Sequence, residues 1–434
     1  MRDRSINRRQ FIQRSTLGTA AVGLLGTGMI RPAPARVIGV NDRLNLGVIG
    51  VGGRGGAILG EMLTLKNKYE FNIEVVAVCD VYERRLQAAA KRCNGKAYRD
   101  YHELLAHPDL DAVAIATPDH WHARISMDAM KAGKDIYCEK PMTLYWEEAK
   151  EVARVARETK RITQIGVQSA SEPRFWKAHE VISSGGIGQL IWSQTGSYRN
   201  DRKGDWNWPI DKTAGPDKTG LDRVDWKTWL GAAPERPWEP ERFFRFRKFW
   251  DYSGGQATDL LYHALGHHEV SLGFEFPKRV VASGGNYVFD LKNDHREVPD
   301  TFLVLIDYPT GHSTVLVSTQ VNQTRVPETI RGQKATITFS GERSEGEPGK
   351  NTLTITPEEP FREEVKEQVI AFEREPRDAY PHMKNFLECV RSRKECNLNA
   401  AAGYKVMVAI GLSVKAYREN KVMLFDPEKE QVIG

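Results

Sequence analysis

The stretch Leu44–Gly56, LNLGVIGVGGRGG, carries three glycines spaced Gly50-x-Gly52-x-x-Gly55 directly after a short apolar run. That spacing suits a turn built to hold a diphosphate. The first glycine allows a tight turn, and the second lets backbone N–H groups approach a pyrophosphate. The third lets the following helix pack close, with its positive end toward the phosphates. Gly53 and Arg54 complete the turn. A second apolar run, Ile73–Cys79, ends at Asp80, where a carboxylate would meet the hydroxyls of an adenosine ribose. A carboxylate there repels a 2′-phosphate, so NAD is the expected cofactor; Arg84 and Arg85 close by leave NADP as the alternative.

A second grouping lies far downstream. Asp259 and His263 stand at i and i+4, so on a helix both face the same side, and the carboxylate can orient the imidazole and stabilise its charged form. Oxidation of a secondary alcohol needs such a base for the hydroxyl proton, and a positive group for the developing alkoxide. His267 continues the stripe at i+8, with His268 and Glu269 beside it. An Asp/His₂ set would also suit zinc or manganese in a metal-dependent isomerase. Such an enzyme needs no dinucleotide turn, so no metal ligand is assigned.

Alternating strands and helices must position these groups. After Asp80, Glu83–Cys93 reads as a helix and Lys96–Tyr98 as a strand, and Asp100 caps a helix over 101–106. Strands are expected at 111–116 and 135–138, with a helix over 121–132 between them. Thr143 is expected to cap a helix over 145–158, and 162–167 to form the sixth strand. This is the doubly wound parallel pattern, in which ligands bind beyond the carboxyl ends of the strands. One rim therefore collects Gly50, Gly52, Gly53, Arg54, Gly55, Asp80, Thr117, Pro118, His120, His122, Glu139 and Lys140 as cofactor-side residues.

From about Ser171 the pattern changes. Alternating segments at 279–284, 301–307, 313–321 and 335–339 predict an α+β region with an open, mostly antiparallel sheet. Helices at 380–391 and 401–420 close the chain, and both can pack back on the first domain. The expected organisation is 1–35 as an export signal, 36–170 as the nucleotide-binding domain and 171–434 as a substrate-binding and oligomerisation domain. An open sheet face needs covering, so a homo-dimer or homo-tetramer is expected. The long irregular stretch Arg199–Tyr252 holds six of the ten tryptophans, and flat aromatic faces suit sugar C–H faces. Trp206, Trp208, Arg245, Tyr252 and His267 are the candidate substrate contacts, although for any single tryptophan packing the loop onto the body is the more expected role.

Net charge is only +5, and no basic block stands apart from acidic neighbours. The most basic run, Arg242–Lys248, is flanked by Glu239, Glu241 and Asp251, so nucleic acid is not an expected partner. Five cysteines without close pairs predict no disulfide framework. The first 35 residues read as a signal: Asn7-Arg8-Arg9-Gln10-Phe11-Ile12 is a twin-arginine pattern, a Gly/Ala/Thr-rich apolar segment follows, and Ala33-Pro34-Ala35 is a cleavage site. The segment is too short and glycine-rich to span a bilayer. The mature chain is expected in the periplasm or outside the cell, without a membrane anchor, delivered by the twin-arginine translocation machinery. Little free nicotinamide pool exists there, so a retained, internally recycled cofactor is expected.

Val48–Gly52, Ala116-Thr117-Pro118-Asp119-His120-Trp121-His122, Cys138-Glu139-Lys140-Pro141-Met142 and Gly254-Gly255-x-x-x-Asp259-x-x-x-His263 together resemble the Gfo/Idh/MocA oxidoreductases. The resemblance implies an N-terminal Rossmann domain, a C-terminal sheet that mediates oligomerisation, and sugar or polyol substrates. It also makes Lys140, Asp259 and His263 the catalytic group; outside the motif Lys140 would be an ordinary surface lysine before a turn. The expected function is hydride transfer on a small carbohydrate. A glycosidase that oxidises its substrate transiently, and a sugar-binding protein without turnover, are the alternatives.

Overall fold

The structure, a computed structural model, describes residues 42–341, 351–373 and 376–433. The expected export signal lies outside the described residues.

Six short strands, β1 (Leu44–Ile49), β2 (Ile73–Cys79), β3 (Lys96–Tyr98), β4 (Ala112–Ile115), β5 (Asp135–Glu139) and β6 (Thr163–Gly166), form a parallel sheet in the order β3-β2-β1-β4-β5-β6. Strands β1, β4, β5 and β6 are buried on both faces, which is why they read as nearly continuous apolar runs. The order reverses between β1 and β4, the switch point where such sheets bind ligands. The helix after the glycine turn begins at Gly53 and runs to Lys68, at both ends longer than its apolar stretch suggests. Asp100 accepts from the His102 amide, as a cap should. Thr143 does not cap the next helix: its hydroxyl donates to the Tyr145 carbonyl, while Glu148 accepts from the Tyr145 amide at the true start, before Trp146–Thr159.

The second sheet is larger. Strands β7 (Leu190–Tyr198), β8 (Arg279–Gly285), β9 (Thr301–Asp307), β10 (Ser313–Thr319), β11 (Thr329–Gly332), β12 (Ala335–Ser340), β13 (Asn351–Pro357), β14 (Gln368–Phe372), β15 (Met423–Asp426) and β16 (Gln431–Ile433) order as β14-β13-β12-β11-β7-β10-β9-β8-β15-β16. All neighbouring pairs are antiparallel except β7 with β10. Strands β9 and β10 alternate between buried and more exposed positions, so one face packs on helices and the other is open. Helix Tyr262–Leu272 and the long helix Ala400–Glu419 cover the inner face, and the latter also packs on Trp146–Thr159. One apolar core therefore runs from Ile136 and Val152 through Leu265 and Leu412 to Val304 and Ile306. This continuity fixes the second half of the chain over the ligand rim of the first. Among the described residues no helix is long and apolar enough to cross a membrane.

The irregular stretch 199–252 builds a small core of its own, with Trp226, Trp229, Phe243, Phe249 and Tyr252 packed on Tyr82. All five cysteines are buried and free.

Candidate active site

The carboxyl ends of β1, β2, β4 and β5 open into one cleft of about 760 Å³, roofed by residues from 199–263. Gly50, with φ of +80°, makes the turn that leaves β1. A Cβ on Gly55 would lie 1.7 Å from the Gly50 carbonyl oxygen, so the third glycine is there for helix packing and does not line the cleft. Gly50, Gly52, Gly53 and Arg54 do line it, and a Cβ on Gly53 would meet only open space. Asp80 accepts from the amides of Val51 (2.8 Å) and Tyr82 (2.8 Å), bracing the turn while facing the same cleft; burial raises its pKa against the pull of Arg85.

Two residues lining the cleft, Arg54 and Thr117, each hold a buried polar atom, Nη2 and Oγ1, with no hydrogen-bond partner. With exposed glycine backbone, a carboxylate at the end of β2 and these spare donors, the rim fits a dinucleotide. Arg54 is itself fixed from below by Glu139 (2.8 Å) and Glu61 (2.7 Å). Glu139 thus acts as the anchor of Arg54, and Gln168 donates to it as well.

At the other end of the cleft stand Lys140, Asp259 and His263. Lys140 Nζ donates to Asp259 Oδ1 (2.5 Å) and to the Asp259 carbonyl (2.9 Å). Arg247 Nε donates to the same Oδ1 (2.8 Å), and Trp206 Nε1 donates to Oδ2 (3.0 Å). Burial pushes the Asp259 pKa up, but Arg247 and Lys140 outweigh it and hold the carboxyl well below the usual range. The expected Asp259–His263 hydrogen bond is not formed. A π-helical turn, Ala257–Leu261, precedes Tyr262–Leu272 and breaks the simple i, i+4 relation, and both carboxylate oxygens are already taken. The His263 side chain makes no hydrogen bond among the described residues and lines the cleft. Burial, then the charge of Lys140, pushes its pKa well below the ordinary imidazole value. It is a neutral base beside a cation.

Other expected contacts fall elsewhere. His120 does not line the cleft: it is half-buried against Trp229 and Tyr252, bonds the Trp229 carbonyl (3.0 Å), and desolvation lowers its pKa to about 4. His122 does border the cleft, but its nitrogens are spent on the carbonyls of Pro141 (2.6 Å) and Thr117 (2.8 Å). Both nitrogens must donate, so the ring is a cation. Burial works against that charge, but Cys138, Asp119 and the Pro141 carbonyl raise its pKa to about 9. Pro118 lines the cleft beside Thr117. Trp206 and Trp208 also line it, but Arg245 points away, bonding the Trp208 carbonyl and Glu241. Tyr252 is fully buried in the aromatic core of the insert. His267 bonds Ser169 and Glu328, and Glu328 also holds His268. The Asp259–His263–His267 stripe therefore does not converge, and among the described residues no group of three His, Cys, Asp or Glu is arranged for a metal.

Sequence spacing misses Arg247 and the buried Asp119. Arg247 lies 12 residues before Asp259 in a run that reads only as basic and aromatic, and a loop with no period hides which cation turns inward. Asp119 accepts from Thr258 Oγ1 (3.1 Å) and lines the cleft; burial raises its pKa.

Two family models match the chain. One, described as an oxidoreductase family NAD-binding Rossmann fold, covers residues 44–167; the other, an oxidoreductase family C-terminal alpha/beta domain, covers 234–424. Inositol 2-dehydrogenase of Salmonella typhimurium is 32% identical over 151 residues, 34% of this chain and 44% of its own length. Myo-inositol 2-dehydrogenase of Thermotoga maritima is 33% identical over 150 residues, 34% of this chain and 42% of its own length. The match thus spans less than half of either relative. Among solved structures, levoglucosan dehydrogenase in complex with NADH and levoglucosan superposes with a TM-score of 0.66 at 18% identity, over 90% of this chain and 99% of its own. An aldose-aldose oxidoreductase from Caulobacter crescentus, complexed with glycerol, gives 0.64 at 17% identity, over 88% and 100%. These likenesses establish the fold.

Proposed function

The chain belongs to the Gfo/Idh/MocA family of oxidoreductases, with an NAD-binding Rossmann domain, and on that premise we propose that it oxidises a hydroxyl-bearing carbon of a sugar or sugar derivative. The observation that carries the proposal is a neutral imidazole, His263, beside the Lys140 ammonium in the cleft that also holds the glycine turn. Bound NAD supplies the hydride acceptor. His263 takes the hydroxyl proton as the carbon–oxygen double bond forms, and Lys140 donates toward the developing alkoxide. Asp259 remains ionised, places the ammonium and does not itself take the proton; Trp206 and Arg247 hold Asp259. The related dehydrogenases named for inositol and levoglucosan support a polyol or sugar as substrate.

The test is incubation of purified full-length protein with a panel of mono- and disaccharides and synthetic glycosides, with product analysis and the reduced-nicotinamide absorbance followed together. Oxidised sugar with reduced cofactor is the expected result. Glycoside cleavage with unchanged cofactor would instead establish the transient-oxidation glycosidase, and binding without any product would defeat an enzymatic role.

The chain is also proposed to be exported folded, with NAD inside, on the strength of Arg8-Arg9 and Ala33-Pro34-Ala35. Replacing Arg8 and Arg9 by lysine should leave the protein in the cytoplasm. Normal export of that variant would defeat this proposal.

A further inference from the structure

Arg84 and Arg85 are adjacent in sequence and opposite in situation. Arg84 is spent on the Tyr82 hydroxyl (3.2 Å), Asp211 (3.4 Å) and Asp222. The Arg85 side chain makes no hydrogen bond or close ion pair among the described residues. Its guanidinium carbon sits instead 5.4 Å from the ring centre of Tyr82, 5.3 Å from that of Phe243 and 5.4 Å from that of Phe244. The three rings meet edge to face, Tyr82 lying 6.1 Å from Phe243 and 6.2 Å from Phe244. One Arg85 nitrogen, Nη1, lies 3.1 Å from where a Cβ on Gly52 would be. A charged fork is thus held over the second glycine of the turn, in the cleft, close enough to Asp80 to pull on its carboxylate but without a hydrogen bond or ion pair to it.

Aromatic faces stabilise a guanidinium while leaving its in-plane N–H donors free, and that fork matches two phosphate oxygens. We propose that Arg85 binds the adenosine-side diphosphate of the cofactor above Gly52, and that two of the three rings positioning it are lent by the 199–252 insert so that cofactor retention depends on that insert. The insert is fixed where this requires. The Glu83 amide donates to the Arg223 carbonyl (3.0 Å), the Asp225 amide to the Val81 carbonyl (2.9 Å), and Tyr82 forms an antiparallel bridge with Val224. The segment following Asp80 is thereby stitched to the insert by backbone hydrogen bonds. A 2′-phosphate would be a poorer target, because the Asp80 carboxylate follows the end of β2, where the adenosine ribose would lie.

The inference rests on NAD binding by the glycine turn, and the experiment separates the two. Wild-type protein, Arg85→Ala, Arg85→Lys and Phe243→Leu/Phe244→Leu are purified at full length, and bound NAD is extracted and quantified per chain. Cofactor-stripped proteins are titrated with ADP, ADP-ribose, its 2′-phosphorylated form and adenosine. Arg85→Ala should weaken ADP and ADP-ribose roughly tenfold or more while leaving adenosine within about twofold. Arg85→Lys should fall between, since the ammonium keeps charge but not the planar fork. The phenylalanine pair should lower NAD content with Arg85 still present. Unchanged ADP affinity in Arg85→Ala, equal weakening of adenosine, or a loss confined to the 2′-phosphorylated ligand would each overturn the inference. Should Arg85→Ala fail to fold, Arg85→Lys with wild-type ADP affinity would overturn it. Wild-type protein that binds none of these nucleotides would instead remove the NAD reading itself, and this inference with it.

Discussion

Lys140 and Asp259, 119 residues apart in sequence, meet at 2.5 Å across the cleft, and the lysine ammonium bonds both the side chain and the carbonyl of the aspartate. The pair joins the end of β5 to the π-helical turn 257–261, so each domain supplies one charge. Arg247 adds a second cation to the same carboxylate oxygen. The coupled unit is therefore Asp259 with its two cations, and His263 stands beside it as a separate base.

That arrangement predicts a pattern of rates. Lys140→Ala and His263→Ala should each lower turnover by roughly 10²–10⁴-fold with NAD content unchanged. Asp259→Asn combined with Lys140→Ala should be little worse than the more damaging single change, because the two act as one unit. Asp259→Asn combined with His263→Ala should instead multiply, because no hydrogen bond joins them. Single-turnover rates of the three single and two double variants check this; additive Asp259–Lys140 effects would count against the pairing.

His122 makes a prediction in pH. Its two nitrogens face two carbonyls and its folded pKa is raised to about 9, against an ordinary value near 6.5. The folded state therefore holds a proton that the unfolded chain releases above pH 6.5. Stability from this group is fully present below pH 6.5 and disappears as pH rises through about 9. Melting temperatures of wild type and His122→Gln from pH 6 to 10 should converge toward the alkaline end. Parallel curves would show that the imidazolium is not what joins the Thr117 and Pro141 turns.

Neighbouring glycines should behave oppositely. A Cβ at Gly55 would lie 1.7 Å from the Gly50 carbonyl oxygen, which only a backbone shift can relieve. Gly55→Ala should yield little folded protein, at a cost of more than about 4 kcal/mol. At Gly56 the nearest atom would be 3.7 Å away, an ordinary contact, and the residue lies in a helix. Gly56→Ala should raise stability by about 0.5–1 kcal/mol. Denaturant midpoints decide both.

The parallel sheet is legible because four of its strands are buried on both faces and strands alternate with helices from Leu44 to Val167, so the apolar runs and the helical period separate cleanly. Short strands such as β11, β15 and β16 carry too few residues to show alternation, and their pairing is decided by partners far away in sequence. At the site, motif residues were legible and their connections were not. Asp259 and His263 are four apart in any reading, but a π turn has no one-residue signature, and the partners that replaced the expected hydrogen bond come from 206 and 247, inside an aperiodic loop. Most aromatics of that loop pack its own core, and of the three candidate aromatics Trp206 and Trp208 line the cleft while Tyr252 does not.

The open face of the second sheet carries the last prediction. On β9, Leu303 and Leu305 are exposed while Phe302, Val304 and Ile306 are buried, so the strand shows its apolar residues on both sides. In register, Leu305 lies between Val281 of β8 and Val315 of β10, and Leu303 lies beside Val317. Five side chains of this patch are thus apolar and adjacent on the open face. A self-complementary face of this kind is most simply covered by a second copy through a two-fold axis. The protein should be a dimer or tetramer in light scattering at micromolar concentration. Leu303→Glu/Leu305→Glu should halve the mass without unfolding the chain, because both side chains already face outward and the buried positions between them are untouched. A wild-type monomer at that concentration, or a variant that keeps the wild-type mass, would place the contact elsewhere or remove it.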